Sequence, residues 1–92
     1  MIITREEFLI RARLDQETLV AWCAEEWLIP GGTPEMMAFS DADLARAELI
    51  RDLKVDLGVN DEGIGIILNL IDQVHGLRRS LAEVLQARRQ QP

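Results

Sequence analysis

Apolar residues in this chain recur in four blocks, and the spacing inside each predicts a helix. In the first, Phe8, Leu9 and Ala12 supply an inner face, and Thr4 with Glu7 forms a capping box at its start. In the second, Leu19, Trp22, Cys23 and Trp27 return at helical spacing with Val20 beside them, behind Asp15 as N-cap. Met1 to Ile3 reads as a short β-type lead-in. Pro30, Gly31, Gly32 and Pro34 then break regular structure. Trp27 to Ile29 and Met36 to Phe39 flank that break and are expected to pair as a small β-hairpin. Ser40 with Asp43 is a further capping pattern and opens a third helix from Asp41 to about Leu57. Ala42, Leu49, Leu53 and Leu57 fall on one side of it, and Gly58 is placed to end it through a left-handed cap. Asn60 restarts the chain as an N-cap, with Asp61 and Glu62 at the positive end of the new helix dipole.

From there to about Arg89 the pattern is continuous. Ile64, Ile67, Ile71, Val74, Arg78, Leu81 and Leu85 alternate by three and four, a heptad seam with one cation in it. A second apolar line of Ile66, Leu70, Leu77 and Val84 widens the face. Such a helix would extend about 43 Å at 1.5 Å per residue, longer than so small a head needs. A stripe this wide most simply buries itself against a second copy, so the seven seam residues are the expected dimer interface. Either a parallel or an antiparallel pairing satisfies it. The whole reads as one mainly α domain over residues 1–92. Residues 1–39 form a helix-turn-helix and hairpin, 40–58 the third helix, and 60–89 the long coiled-coil-type helix. Two short helices joined by a tight turn make a helix-turn-helix, and the hairpin gives it a wing.

Composition adds little until charge is considered. At 92 residues, 48% apolar and 28% charged, the chain has the make-up of one folded domain. It would bury roughly 60% of its unfolded surface, so a partner subunit would help its stability. The net charge of −6 is unevenly placed. Residues 1–62 hold 14 acids and 6 bases, whereas residues 63–92 hold 2 acids and 4 bases. From Leu14 to Ala45 there are 32 residues with no Lys or Arg, yet Asp15, Glu17, Glu25, Glu26, Glu35, Asp41 and Asp43 lie there. That stretch covers the second helix and the hairpin, the surface a winged helix-turn-helix usually lays on DNA. Affinity for DNA comes largely from cations that neutralise phosphates. Base readout most often uses Arg or Lys, then Asn and Gln, and only Gln16 qualifies on the second helix.

A surface of this kind repels a polyanion and suits a basic protein. At 100° per residue, Asp41, Glu48, Asp52 and Asp56 lie within about 80° on one side of the third helix. With Asp61 and Glu62 at the adjoining turn they make the expected docking surface, against the plainer reading of a solvated helix face. Glu25 and Glu26 are a second possible patch. Arg5, Arg11 and Arg13, near the first helix, are the residues that would touch phosphates if DNA were bound.

Catalysis finds no foothold, and the chain is expected to be a non-enzyme without cofactor or metal. Cys23 is the single cysteine, which excludes an internal disulfide, and its apolar neighbours suit a buried structural thiol. His75 is the only histidine, and the positions one turn away hold Ile71 and Arg79, which cannot share a metal with it. Gly63 and Gly65 sit at the start of a helix, not in a phosphate-cradling loop after a strand. Trp22 and Trp27 fit core packing better than interface anchoring. Met36 and Met37 suit either an adaptable apolar contact or a core cover. Arg46, near the apolar side of its helix, reads as a structural cation reaching a helix end or a carboxylate. No run reaches 18 apolar residues and no basic flank precedes an apolar run, so a cytoplasmic protein without a membrane span is expected.

The order helix, turn, helix, hairpin, helix, long seam helix is similar to that of MerR-type regulators. More specifically, several phrases resemble the chaperone-modulatory proteins of the CbpM type. They are Phe39-Ser40-Asp41, Arg46-Ala47 with Leu49 and Leu53, and Leu57-Gly58-Val59-Asn60. Gly63-Ile64, the run Ile67-Leu68-Asn69-Leu70-Ile71-Asp72, and Leu77 with Leu81 follow. The likeness covers residues 39–82. Before them the likeness is architectural, with Ile3-Thr4, Glu7-Phe8 and a Leu28-Ile29-Pro30 exit. The resemblance implies a small dimeric modulator that binds the J-domain of a DnaJ-like co-chaperone, the curved-DNA-binding protein A. Binding would keep that J-domain from its Hsp70 partner. A J-domain meets Hsp70 with a basic helix, so a competitor would present carboxylates. The alternative is a MerR-type dimeric DNA-binding transcriptional regulator.

Overall fold

Thr4 turns the chain from strand to helix in the computed structural model, which describes residues 1–90. β1 (Ile3–Thr4) runs straight into α1 (Arg5–Ala12). The Thr4 hydroxyl accepts from the Glu7 amide at 3.3 Å and donates to the Glu7 carboxylate at 3.2 Å. That is a variant of the box, because Glu7 meets the hydroxyl where the full motif uses the backbone amide. Arg13 closes α1 in the left-handed region, φ 57°, and the Leu14 amide returns to the Leu9 carbonyl at 3.0 Å. Asp15 then caps α2 (Gln16–Ala24), accepting from the Thr18 amide at 2.7 Å. The helix-turn-helix stands as the spacing predicts.

The wing differs from expectation. β2 (Gly31–Gly32) and β3 (Met37–Phe39) make the hairpin, and β1 pairs with the other edge of β3. The sheet is antiparallel in the order β1-β3-β2, with Ile3 opposite Phe39 and Gly31 opposite Ala38. Trp27 to Ile29 therefore do not pair with Met36 to Phe39. Trp27 and Leu28 are buried in the core, and burying an indole and a leucine outweighs any strand preference they have. Glycine is depleted in strands, which hides β2 from pattern reading. The hairpin needs it nonetheless. Gly32 has φ +79°, and a Cβ there would fall 2.3 Å from the Met36 carbonyl oxygen.

Ser40 opens α3 (Asp41–Arg51) with a complete capping box, its hydroxyl taking the Asp43 amide while Asp43 takes the Ser40 amide. The helix then widens into a π-turn over Asp52–Asp56, where the Leu57 amide reaches back to the Asp52 carbonyl. The buried residues are Ala47, Ile50 and Leu53, whereas Ala42 is exposed and Leu57 is 70% exposed. The extra residue in each π ring rotates the positions after Leu53 off the buried side, so Leu57 leaves the core face. Gly58, φ +64°, ends the element as expected.

Residues 1–60 form one compact unit and the chain from Asp61 onward a second. In the first, α1 packs on α3 and β3, and Phe8 stacks on Phe39 with ring centroids 4.0 Å apart. Ile3, Leu19, Leu28 and Ile50 complete this core, each contributing roughly 1.5–3 kcal/mol by burial. The second unit is α4 (Asp61–Arg89), 29 residues long. Only Ile64 and Leu68 are buried on it. No helix among the described residues is long and apolar enough to cross a membrane.

Candidate functional site

α2 turns Leu19 and Trp22 inward and exposes Gln16, Glu17, Val20, Ala21 and Ala24. These five positions cover about 140° of its circumference at 100° per residue. None is a cation. The helix that would enter a groove of DNA thus offers small apolar side chains, one carboxylate and the amide of Gln16. Its exit is pinned: the Trp27 carbonyl accepts from Arg46 Nε, and Lys54 Nζ stands 5.6 Å from the centre of the Trp27 ring. Trp22 and Trp27 pack together in the core, 6.2 Å between ring centroids. Arg46 is therefore a structural cation, and it reaches a backbone carbonyl.

Asp41, Glu48, Asp52 and Asp56 are exposed, whereas Asp43, tied into the capping box, is half-buried. Asp41, Glu48 and Asp52 lie within about 40° of one another, and Ile50 lies about 180° from Asp41 on the buried side. Asp56 follows within the π-turn. Asp61 and Glu62 are exposed in the first turn of α4, in the second unit. Glu25 and Glu26 are exposed after α2.

One arrangement had no sequence signal. Glu48 and Asp52 share a cleft of about 230 Å³ with Arg11, Arg13 and Arg51. Arg51 donates to the Ala12 carbonyl, 39 positions away in the chain, at 3.5 Å, and Arg11 lies 3.8 Å from Glu7. The packing of α1 on α3 creates this neighbourhood. Arg11 and Arg13 could be noted from the sequence, but nothing local says that Arg51 joins them. A second hollow, about 360 Å³, lies beside the wing between Ile2, Arg5, Glu35, Met36 and Met37. Met36 is open to solvent there and Met37 half-buried.

Hydrogen bonds from the Thr18 side chain and then its backbone amide hold the Asp15 carboxyl below the usual range. Burial, and then the charge of Asp43, push the Cys23 thiol up, so it stays a thiol at neutral pH. Among the described residues, no group of three or more His, Cys, Asp or Glu is placed to hold a metal ion.

The expected seam on α4 divides by burial. Ile64 is fully buried within the single chain. Ile67 and Ile71 are half-buried. Val74, Arg78, Leu81 and Leu85 are exposed, as are Ile66, Leu70, Leu77 and Val84 of the second line. His75 is exposed beside them.

The family model described as MerR HTH family regulatory protein matches residues 3–86. No curated protein and no solved structure matches the chain. With its helix-turn-helix, three-stranded wing and long final helix, the chain belongs to the MerR family of helix-turn-helix regulatory proteins.

Proposed function

We propose that this MerR-family member regulates by protein contact, as a dimeric, non-enzymatic modulator of the CbpM type. It occupies the basic face of a J-domain and keeps a DnaJ-like co-chaperone from its Hsp70 partner. The observation that carries this reading is the exposed side of α2, which holds Glu17 and no cation. The exposed carboxylates Asp41, Glu48, Asp52 and Asp56 on the neighbouring helix support it, since a basic helix is attracted where a phosphate backbone is repelled. The phrases shared with CbpM-type proteins over residues 39–82 point the same way. The second copy is assigned to the exposed apolar side of α4.

A second reading has its own observation. Arg11, Arg13 and Arg51 line one cleft, and cations so placed would suit phosphates in a MerR-type DNA-binding regulator. The two are separated by titrating the purified protein with a J-domain and, in parallel, with random duplex DNA at low salt. J-domain binding that weakens with salt, together with loss of co-chaperone stimulation of Hsp70, is expected. Glu48→Lys combined with Asp52→Lys is expected to weaken that complex and leave the dimer intact. Tight duplex binding that survives competitor, with no J-domain complex, would overturn the proposal.

A further inference from the structure

The cleft of Arg11, Arg13, Glu48, Arg51 and Asp52 is not a plain acidic surface. Three arginines and two acidic residues line about 230 Å³, roughly the space of eight waters. Arg11 is paired with Glu7 in the first turn of α1, and Arg51 is tied to the Ala12 carbonyl at its end. Arg13 is not tied. Its backbone is left-handed, which long side chains seldom adopt, and the residue lines the cleft. Among the described residues, no ion pair or hydrogen bond joins the Arg13 guanidinium to the carboxylates of Glu48 or Asp52.

Opposite charges held side by side, yet unpaired, stay hydrated until a ligand satisfies both. A purely cationic ligand gains at Glu48 and Asp52 but is repelled by three arginines. A purely anionic one meets the reverse. A ligand with both charges gains twice, because charge-assisted hydrogen bonds form on each side. We propose that this cleft takes a protein segment carrying a Lys or Arg next to an Asp or Glu. The segment's carboxylate sits on Arg13, and its cation lies between Glu48 and Asp52. The inference rests on the reading above that the partner is a J-domain, and it names the mixed-charge spot on that partner.

The test is calorimetric titration of the full chain, wild type and variants, with an isolated J-domain, with circular dichroism to confirm each fold. Both Arg13→Glu and Asp52→Lys should weaken binding by about tenfold or more. Arg13→Asn, which suits left-handed backbone and deletes only the charge, should weaken it by less. The sign at Arg13 decides. If the partner brought cations alone, Arg13→Glu would tighten the complex by removing repulsion. Tightening, or no change, while Asp52→Lys still weakens, would overturn the inference and leave the J-domain reading standing. A wild-type chain that does not bind the J-domain would sink both. Loss of duplex DNA binding in Arg13→Glu, with J-domain affinity unmoved, would also overturn it, by assigning the arginines to phosphates.

Discussion

Gly32 and Gly58 hold similar left-handed backbone, φ 79° and 64°, in different surroundings. A Cβ on Gly58 would meet nothing within 4 Å, so Gly58→Ala costs only the backbone penalty, about 1–2 kcal/mol. A Cβ on Gly32 adds a collision with the Met36 carbonyl, which cannot move without breaking the hairpin. Gly32→Ala should therefore lower the urea midpoint clearly more than Gly58→Ala. Equal losses would mean that the hairpin yields easily. At this scale the sequence was partly transparent. Gly58 announced itself by following an apolar helix, and Gly32 by standing in a Pro-Gly cluster. Arg13 gave no hint of left-handed backbone, because arginine rarely takes it, and its role in the cleft stayed hidden with it.

Among the elements, those opened by local hydrogen bonds were legible. Thr4, Asp15 and Ser40 each cap a helix from three residues upstream, a purely local geometry. Asp15 also makes α2 sensitive to acid. Its folded carboxyl titrates below the ordinary value, so the stabilisation is present above the unfolded range, about pH 4, and is lost as pH falls through the folded one. Asp15→Asn keeps a good cap and removes the titration, so its acid-unfolding curve should be flatter while stability at neutral pH changes little. Thermal melts from pH 7 down to pH 3 would show this, and parallel curves for the two proteins would contradict it. The β2 strand and the π-turn were not legible, for a shared reason. Both are settled by packing elsewhere: Trp27 and Leu28 enter the core, and Leu53 keeps its place while Leu57 is turned out.

For the whole molecule, the asymmetry of charge is the feature the sequence declared most openly. Residues 1–60 hold 12 acids against 6 bases, whereas in the last helix Arg78, Arg79, Arg88 and Arg89 balance Asp61, Glu62, Asp72 and Glu83. The apolar stripe on α4 was legible in the sequence, but which part of it the single chain leaves exposed was not. The seam read from the sequence began at Ile64, whereas the exposed apolar arc centres on Leu70, Leu77 and Leu81. Spacing alone cannot tell which flank of a broad stripe the fold itself buries. If a second copy covers the exposed flank, Leu77→Lys with Leu81→Lys should convert the dimer to a monomer without altering the head. Sedimentation velocity at several concentrations would read this, and an undisturbed dimer would move the interface elsewhere.

Trp22 and Trp27 are the only tryptophans in the chain, tyrosine is absent, and both indoles lie in the core of the first unit. Ultraviolet emission thus originates in that unit, whereas the 29-residue final helix supplies a little under half of the helical residues that the far-ultraviolet spectrum reads. Comparing the two optical signals during one denaturant titration divides the melting of this protein between its halves, with no label attached.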